Sequence, residues 1–315
     1  PASQWCSMVG LPEQLRKNKE KVNMKYAYFP GCSAESTARD LYLSTMAVAR
    51  ALGIEFTEPE AWSCCGTTMA HQVDHDLSLS LAAVNLLKVK DMGLDMVVSC
   101  ASCYSRMKIA NHEISTNPKK REIVSAALGR DYDGAVKVRH FVEILIEDIG
   151  LDAFKKALTH SLGGLKVASY YGCLMVRPPE VAGFDDPENP VYMDRLINAM
   201  GGVGLDWPHK VECCGGSLTL TRSDLVVKLS ESIIAMAKDS GAECMAVACP
   251  MCQINLDMRQ DDIFKAAGRR YDMPIIYISQ LMGSCLGISE DALGLNKLIV
   301  SPKEAMNHVR SSVRS

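Results

Sequence analysis

No apolar run in this 315-residue chain reaches the roughly 18–20 positions that a bilayer-spanning helix needs. The first stretch, "PASQWCSMVGLPEQLRKNKEK", is mostly polar and carries no signal-like apolar core. A net charge of −3 offers no global field for nucleic acid or for an anionic membrane surface. The glycine pattern of a dinucleotide site is missing. "HSLGGLKVASYYG" is not G-x-G-x-x-G, and it precedes a strand where that fingerprint follows one. The C-x-x-C-x-x-C-x-x-x-C run of bacterial ferredoxins is also missing. No flavin or nicotinamide site is therefore visible, and any electrons used here must arrive from another subunit.

Sulfur is what the chain has in excess, with thirteen cysteines and 17 methionines. With 48% apolar and 23% charged residues, the composition is that of a globular protein with a real core, and the length suggests about two domains. Thiols at this density in a large chain with no signal-like start suit a reducing, anaerobic cytoplasm, where they serve metals or redox chemistry. Residues 1–23 read as an N-terminal arm, which Trp5 and Cys6 could dock on a partner. "MKYAYFPGC" from Met24 reads as the first strand.

The thiols are ordered. "WSCCG" (62–66) and "VECCG" (211–215) rhyme, and each belongs to a five-cysteine set: Cys32, Cys64, Cys65, Cys100 and Cys103, then Cys173, Cys213, Cys214, Cys249 and Cys252. In both sets 34 residues separate the cysteine pair from a C-x-x-C, while the first spacer is 31 residues in one and 39 in the other. The longer spacer holds "VRPPEVAGFDDPENP" (176–190), whose Pro, Gly and Asp content suits an inserted loop. The frame repeats too. "YAYFPGC" matches "VASYYGC", "DMGLDMVVSCASC" matches "DSGAECMAVACPMC", and "KVRHFVEIL" matches "PIIYISQLM".

Strands alternate with helices in each half. Residues 35–52, 75–92 and 223–240 have helical apolar spacing, and "MVVSC" and "MAVAC" lack polar alternation, as buried parallel strands do. The sequence predicts two homologous α/β half-domains (24–160 and 161–302) related by a pseudo-two-fold, with a C-terminal tail at 303–315. Each half has a mostly parallel sheet, and its cysteines fall at the carboxyl ends of the strands, where open α/β sheets bind ligands.

A structural zinc site needs four ligands around one ion. Here each half supplies five thiols, two of them adjacent, and adjacent side chains diverge. Cys64 and Cys65 suit two irons of a polynuclear cluster better than one small ion. Zinc and structural disulfides are the weaker alternatives. Gly66 and Gly215 follow the pairs and Gly31 and Gly172 precede the first cysteines, which predicts close approach of a cluster to the backbone.

The pattern C-x31–39-C-C-x34-C-x-x-C, present twice, resembles the cysteine-rich CCG domain. The stretch from Met24 to about Pro302, including "VKVRHFVEILIEDIG" (136–150) and "YISQLMGSCLGIS" (277–289), resembles the B-type subunit of heterodisulfide reductase. The resemblance implies two non-cubane [4Fe-4S] clusters, one on each five-cysteine set, facing each other across the pseudo-two-fold. A disulfide such as CoM-S-S-CoB would be cleaved between them, one sulfur going to each cluster. It further implies C-type (cubane cluster) and A-type (flavin) partner subunits, with a hydrogenase or formate dehydrogenase module as a further partner. A relay subunit that only passes electrons, as in sulfur oxidation or other anaerobic redox complexes, is the alternative. Methanogen-type members carry His where this chain has Leu174, and a longer glycine run where it reads "GGSLTL" (215–220). Both departures bear on the substrate.

Among cations near the ligand loops, Arg106, Lys108, Arg177 and Arg222 are candidates for an anionic substrate, with Arg177 preferred because it lies four residues past Cys173. His209, four residues before Cys213, is a candidate beside the second set. His71, His75 and His140 read as surface or core residues, and Cys244 and Cys285 as small core side chains.

Overall fold

The two C-x-x-C segments are each preceded by strands that hide both faces, and the sheets form around them. The computed structural model describes residues 24–67 and 70–311. The strands are β1 (Met24–Phe29), β2 (Ile54–Thr57), β3 (Met96–Val98), β4 (Val138–His140), β5 (His160–Ser161), β6 (Lys166–Tyr170), β7 (Val203–Gly204), β8 (Cys244–Val247), β9 (Ile275–Tyr277) and β10 (Arg310–Ser311). The first sheet runs β2-β1-β3-β4 and the second β7-β6-β8-β9, and all their pairings are parallel. Every residue of β3 and β8 is buried, as strands covered on both faces by helices must be.

Identical strand order in the two sheets is the structural form of the sequence repeat. The order of connection reverses between β1 and β3, and between β6 and β8. A crevice opens outside the strand ends at such a switch point. The register aligns those ends: Phe29 pairs with Val98, and Tyr170 with Val247. Cys32 and Cys100 leave adjacent strands at one level, as do Cys173 and Cys249.

The helices follow local signals. Asp74 caps His75–Met92 by accepting from Leu77 N at 2.9 Å, and Gly93 ends it with φ 65°. The helix expected over 35–52 starts later. Cys32–Glu35 forms a 3-10 turn, and the α-helix covers Arg39–Leu52. The segment 176–190 is more than a loop. Its helical turn Pro179–Ala182 docks on the first half, where Tyr104 Oη donates to the Ala182 carbonyl at 2.7 Å, and Phe184 is buried against Tyr104 and His140.

The stretch read as a tail is folded as far as residue 311. Lys303–Met306 is helical, and β10 pairs antiparallel with β5. Residues 1–23, read as an arm, lie outside the described residues. Among the described residues no helix is long and apolar enough to cross a membrane.

Asp257 anchors the loop that leads into this last segment. Its buried carboxylate accepts from Ile299 N at 2.8 Å, Val300 N at 3.0 Å and Gln253 Nε2 at 2.9 Å. Asp257→Ala should destabilise the protein by about 2–3 kcal/mol, because three donors lose a charged acceptor. Hydrogen exchange should accelerate first at the Ile299 and Val300 amides.

Candidate metal centre

Each sheet delivers its five cysteines from three places: the turn after the first strand, the loop after the second, and the N-terminus of the helix after the third. In the first half the Cys32 and Cys64 sulfurs are 3.8 Å apart and those of Cys65 and Cys103 are 3.2 Å apart. In the second half Cys214 and Cys252 approach to 3.5 Å. Cys32, Cys64 and Cys213 are exposed, Cys173 is half-buried, and the other six are buried. Cys100 and Cys249 are each the residue that opens a helix, Ala101–Thr116 and Pro250–Gln253.

Glycine makes room for the sulfur. Gly31 has φ 75°, and a Cβ there would lie 3.1 Å from Cys103 Sγ. Gly172 has φ 67°, and its Cβ would lie 3.2 Å from Cys252 Sγ. Gly66 and Gly215 serve a different end from the one expected. A Cβ on them would press on Ala70 and Leu81, or on Val226 and Leu229, so they let the elbow lie against a helix.

The outer thiol pair behaves alike in both halves, whereas Cys100 is raised and its counterpart Cys249 is lowered. Cys64 is held below the ordinary thiol range chiefly by its hydrogen bond with Cys32, and Gly66 N donates to its sulfur at 3.5 Å. Cys213 is lowered in the same way by Cys173, with Gly215 N at 3.3 Å. Cys32 and Cys173 are correspondingly raised. Mutual hydrogen bonds and burial also raise Cys103 and Cys252. Such a set cannot ionise fully without a cation among its sulfurs. The donors, all soft thiols, and the glycine cradles fit a polynuclear iron–sulfur group. Among the described residues no group of three or more His, Cys, Asp or Glu is arranged to hold a single ion.

The two sets meet at the half–half contact. Ala101 N donates to the Ala248 carbonyl at 3.3 Å, Ser102 Oγ lies 3.4 Å from Cys249 Sγ, and the Cys100 and Cys249 side chains are hydrogen-bonded. A cavity of about 130 Å³ opens beside this contact. Cys173, Cys213, Cys214, Cys249 and Cys252 line one side of it, and Thr67, His71, Ser102, Ser105 and Arg106 of the first half line the other. On the first-half side, a space of about 10 Å³ beside Cys100 and Cys103 is closed by Pro250 from the second half. A larger cleft of about 860 Å³ near Asp257 has mixed charge and touches none of the cysteines, so it is remote from this chemistry.

The other candidates separate clearly. Arg177 is ion-paired with Glu188 at 3.0 Å and does not line the cavity. Arg222 pairs with Asp224 at 2.8 Å, and Lys108 sits over the Tyr104 ring at 5.6 Å. His209 is beside Trp207, with ring centroids 6.5 Å apart, and is also off the cavity. His140 is a buried helix cap that accepts from Val142 N at 3.2 Å, and burial pushes its pKa down to about 4. His75 bonds Glu113 at 2.7 Å. Cys244 and Cys285 are fully buried in the core. Cys6 lies outside the described residues. Sequence reasoning passed over Thr67, Ser102 and Ser105 and set His71 aside; their one signal was proximity to the ligand loops.

In metal-free protein at pH 7, iodoacetamide should alkylate Cys64 and Cys213 before the other thiols. Both are exposed, and their depressed pKa leaves the thiolate populated at neutral pH. Mass spectrometry should find exposed Cys32 slower than Cys64, since its proton is retained.

Comparison with known proteins agrees with this geometry. The family model for the cysteine-rich domain named CCG matches twice, at residues 26–108 and 167–257. The chain is 32% identical over 280 residues to the 8-methylmenaquinol:fumarate reductase membrane anchor subunit of Wolinella succinogenes, covering 89% of this chain and 98% of that one. It is 29% identical over 279 residues to the B-type subunit of the ferredoxin/F420H2-dependent CoB-CoM heterodisulfide reductase of Methanosarcina acetivorans, covering 87% and 93%. A protein of Archaeoglobus profundus that is itself like the B-type subunit of heterodisulfide reductase is 30% identical, covering 89% and 96%. The crystal structure of a hypothetical protein from Helicobacter pylori superposes with a TM-score of 0.72 at 12% identity, over 96% of this chain and 57% of that one, which speaks to the fold alone. The repeated thiol sets, the duplicated sheet and these matches together place the chain in the cysteine-rich CCG-domain family, to which the B-type subunits of heterodisulfide reductases belong.

Proposed function

We propose that this chain is the iron–sulfur subunit of a heterodisulfide reductase-type complex, in which a small disulfide is reductively cleaved between two [4Fe-4S] clusters of non-cubane type. The first would be held by Cys32, Cys64, Cys65, Cys100 and Cys103, and the second by Cys173, Cys213, Cys214, Cys249 and Cys252. The observation that carries this reading is the meeting of the two sets at Cys100 and Cys249, beside a cavity walled by both halves. One S–S bond breaks, two electrons and two protons enter, and two thiols leave. Bound iron–sulfur groups would supply one-electron chemistry with an affinity for sulfur.

The chain's own residues set the surroundings. Thr67 Oγ1 lies 3.0 Å from Cys65 Sγ and donates to the Ser102 carbonyl at 3.1 Å, which fixes the first elbow against the cavity. In the second half, Asn255 Nδ2 donates to the Cys214 carbonyl at 3.0 Å and holds the matching elbow. Ala101, Leu174 and Met251 give the cavity an apolar lining that limits water. Electrons would come from a partner subunit with cubane clusters, fed by a flavin subunit.

A second reading is favoured by the extent of the likeness to the Wolinella subunit. In it the centres pass electrons between a quinol-linked partner and an acceptor, and no disulfide is cleaved.

Anaerobically purified protein should carry about eight irons per chain. Cys65→Ser or Cys214→Ser should remove about half of that iron, because a hydroxyl is a poor replacement for a soft thiolate. Cys244→Ser should leave it unchanged. Stoichiometric zinc with negligible iron would refute the assignment. Without partners the chain should not turn over a disulfide with NADH or NADPH. Rapid reduction of small disulfides once the clusters are reduced by dithionite would separate the cleavage reading from the relay.

A further inference from the structure

Lys210 lies three residues before Cys213, and its side chain is only 4% exposed. Its ammonium donates to Asn189 Oδ1 at 3.0 Å, to the Pro190 carbonyl at 3.4 Å and to Asp194 Oδ2 at 2.9 Å, with Asp206 at 3.5 Å. A charge is taken out of water at high cost unless it is paired and hydrogen-bonded, and this one is both. The main chain of the same residue grips a second place. Its carbonyl accepts from Tyr171 N at 2.9 Å and from Gly172 N at 3.1 Å, directly before Cys173. Tyr171 closes the bracket, because its Oη accepts from Met193 N at 2.8 Å and from Asp194 N at 3.3 Å. Lys210 therefore joins three things: the turn that carries Cys173, the elbow that carries Cys213, and the inserted segment with the helix that follows it.

The repeat shows that this bracket belongs to the second half alone. Tyr171 corresponds to Pro30, which has no amide proton to donate, and Lys210 corresponds to Ala61. The first half holds its elbow by other means. Asn85 Oδ1 accepts from Ser63 N at 2.8 Å, and Asn85 Nδ2 donates to the Ser63 carbonyl at 3.0 Å, on the residue before Cys64. The counterpart of Asn85, twenty residues past the second elbow, is the buried Ile234. The far end of the inserted segment is braced on the first half, where Tyr104 Oη reaches the Ala182 carbonyl and Tyr192 Oη donates to Glu147 Oε1 at 2.9 Å.

We infer that Lys210 is a positioning residue for the second centre: through it the inserted segment, braced on the first half, fixes the Cys173 turn against the Cys213 elbow in the arrangement that holds an iron–sulfur group. This assigns a task to the longer spacer of the second half, which supplies the acceptors of the clamp. The inference rests on the second thiol set holding such a group, and it is independent of whether a disulfide is cleaved there. Asn85 performs the corresponding task for the first centre.

The test follows iron release from the full, iron-loaded chain to bathophenanthroline under anaerobic reducing conditions. In Lys210→Met about half of the iron should leave at least about tenfold faster than in wild type, because a buried clamp is broken, while the other half keeps its wild-type rate. Asn85→Ala should also accelerate about half. The double variant should accelerate all of it, since the two clamps serve different centres. A merely structural role for Lys210 would speed both halves together. Uniform acceleration in Lys210→Met, no acceleration, or a double variant that still holds half of its iron at the wild-type rate would overturn the inference and leave the cluster assignment standing. Wild-type protein that carries no iron would overturn both. If Lys210→Met fails to fold, Tyr171→Phe takes its place, since it opens the same bracket without leaving a buried charge, and the same outcomes decide.

Discussion

Ten thiols are held in two sets with sulfur–sulfur approaches of 3.2–3.8 Å, and the rest of the fold is organised around keeping them there. Sulfurs this close cannot all be ionised in a poorly solvated site, because like charges at such distances repel strongly. The thiols compensate by sharing protons, which is why Cys64 and Cys213 are lowered while Cys32 and Cys173 are raised. A cationic polynuclear group in each set would relieve the conflict. The glycines at 31 and 172 let the backbone pass close to these sulfurs, where a Cβ would lie only 3.1–3.2 Å from Cys103 and Cys252 Sγ.

The sheets explain how so many ligands converge from distant points of the chain. A 2-1-3-4 strand order places the ends of β1 and β3 side by side, so cysteines 68 residues apart in sequence (32 and 100) emerge together. Repeating the unit and docking the copies through Ala101 and Ala248 brings the two C-x-x-C segments into contact. The pairing is only approximately symmetric. The second side has a cavity of about 130 Å³ and the first a space of about 10 Å³, and the position of Arg106 is occupied by Asn255 in the repeat.

Much of this was legible in the sequence because the repeat states the same constraint twice. "MVVSC" and "MAVAC" read as buried strands, and β3 and β8 are fully buried. What was not legible depended on contacts between the halves. Arg177 stood out by its distance from Cys173 along the chain, yet its segment folds onto the first half and its guanidinium is taken up by Glu188. Arg106 and Ser105 sit within three residues of Cys103, but only docking reveals that they line the other half's cavity. The stretch 303–311 looked like a tail because β5 and β10 are two residues long, too short for a pattern of alternation to appear.

Everything proposed here depends on each thiol set holding its own iron–sulfur group, with the two groups facing each other across the Cys100–Cys249 contact. Anomalous diffraction at the iron edge from anaerobically grown crystals tests this most directly. Two compact iron peaks are expected, one within each set, with the cavity bounded by Arg106 alongside the second. A single peak, two peaks on opposite surfaces of the molecule, or signal at the zinc edge alone would contradict it.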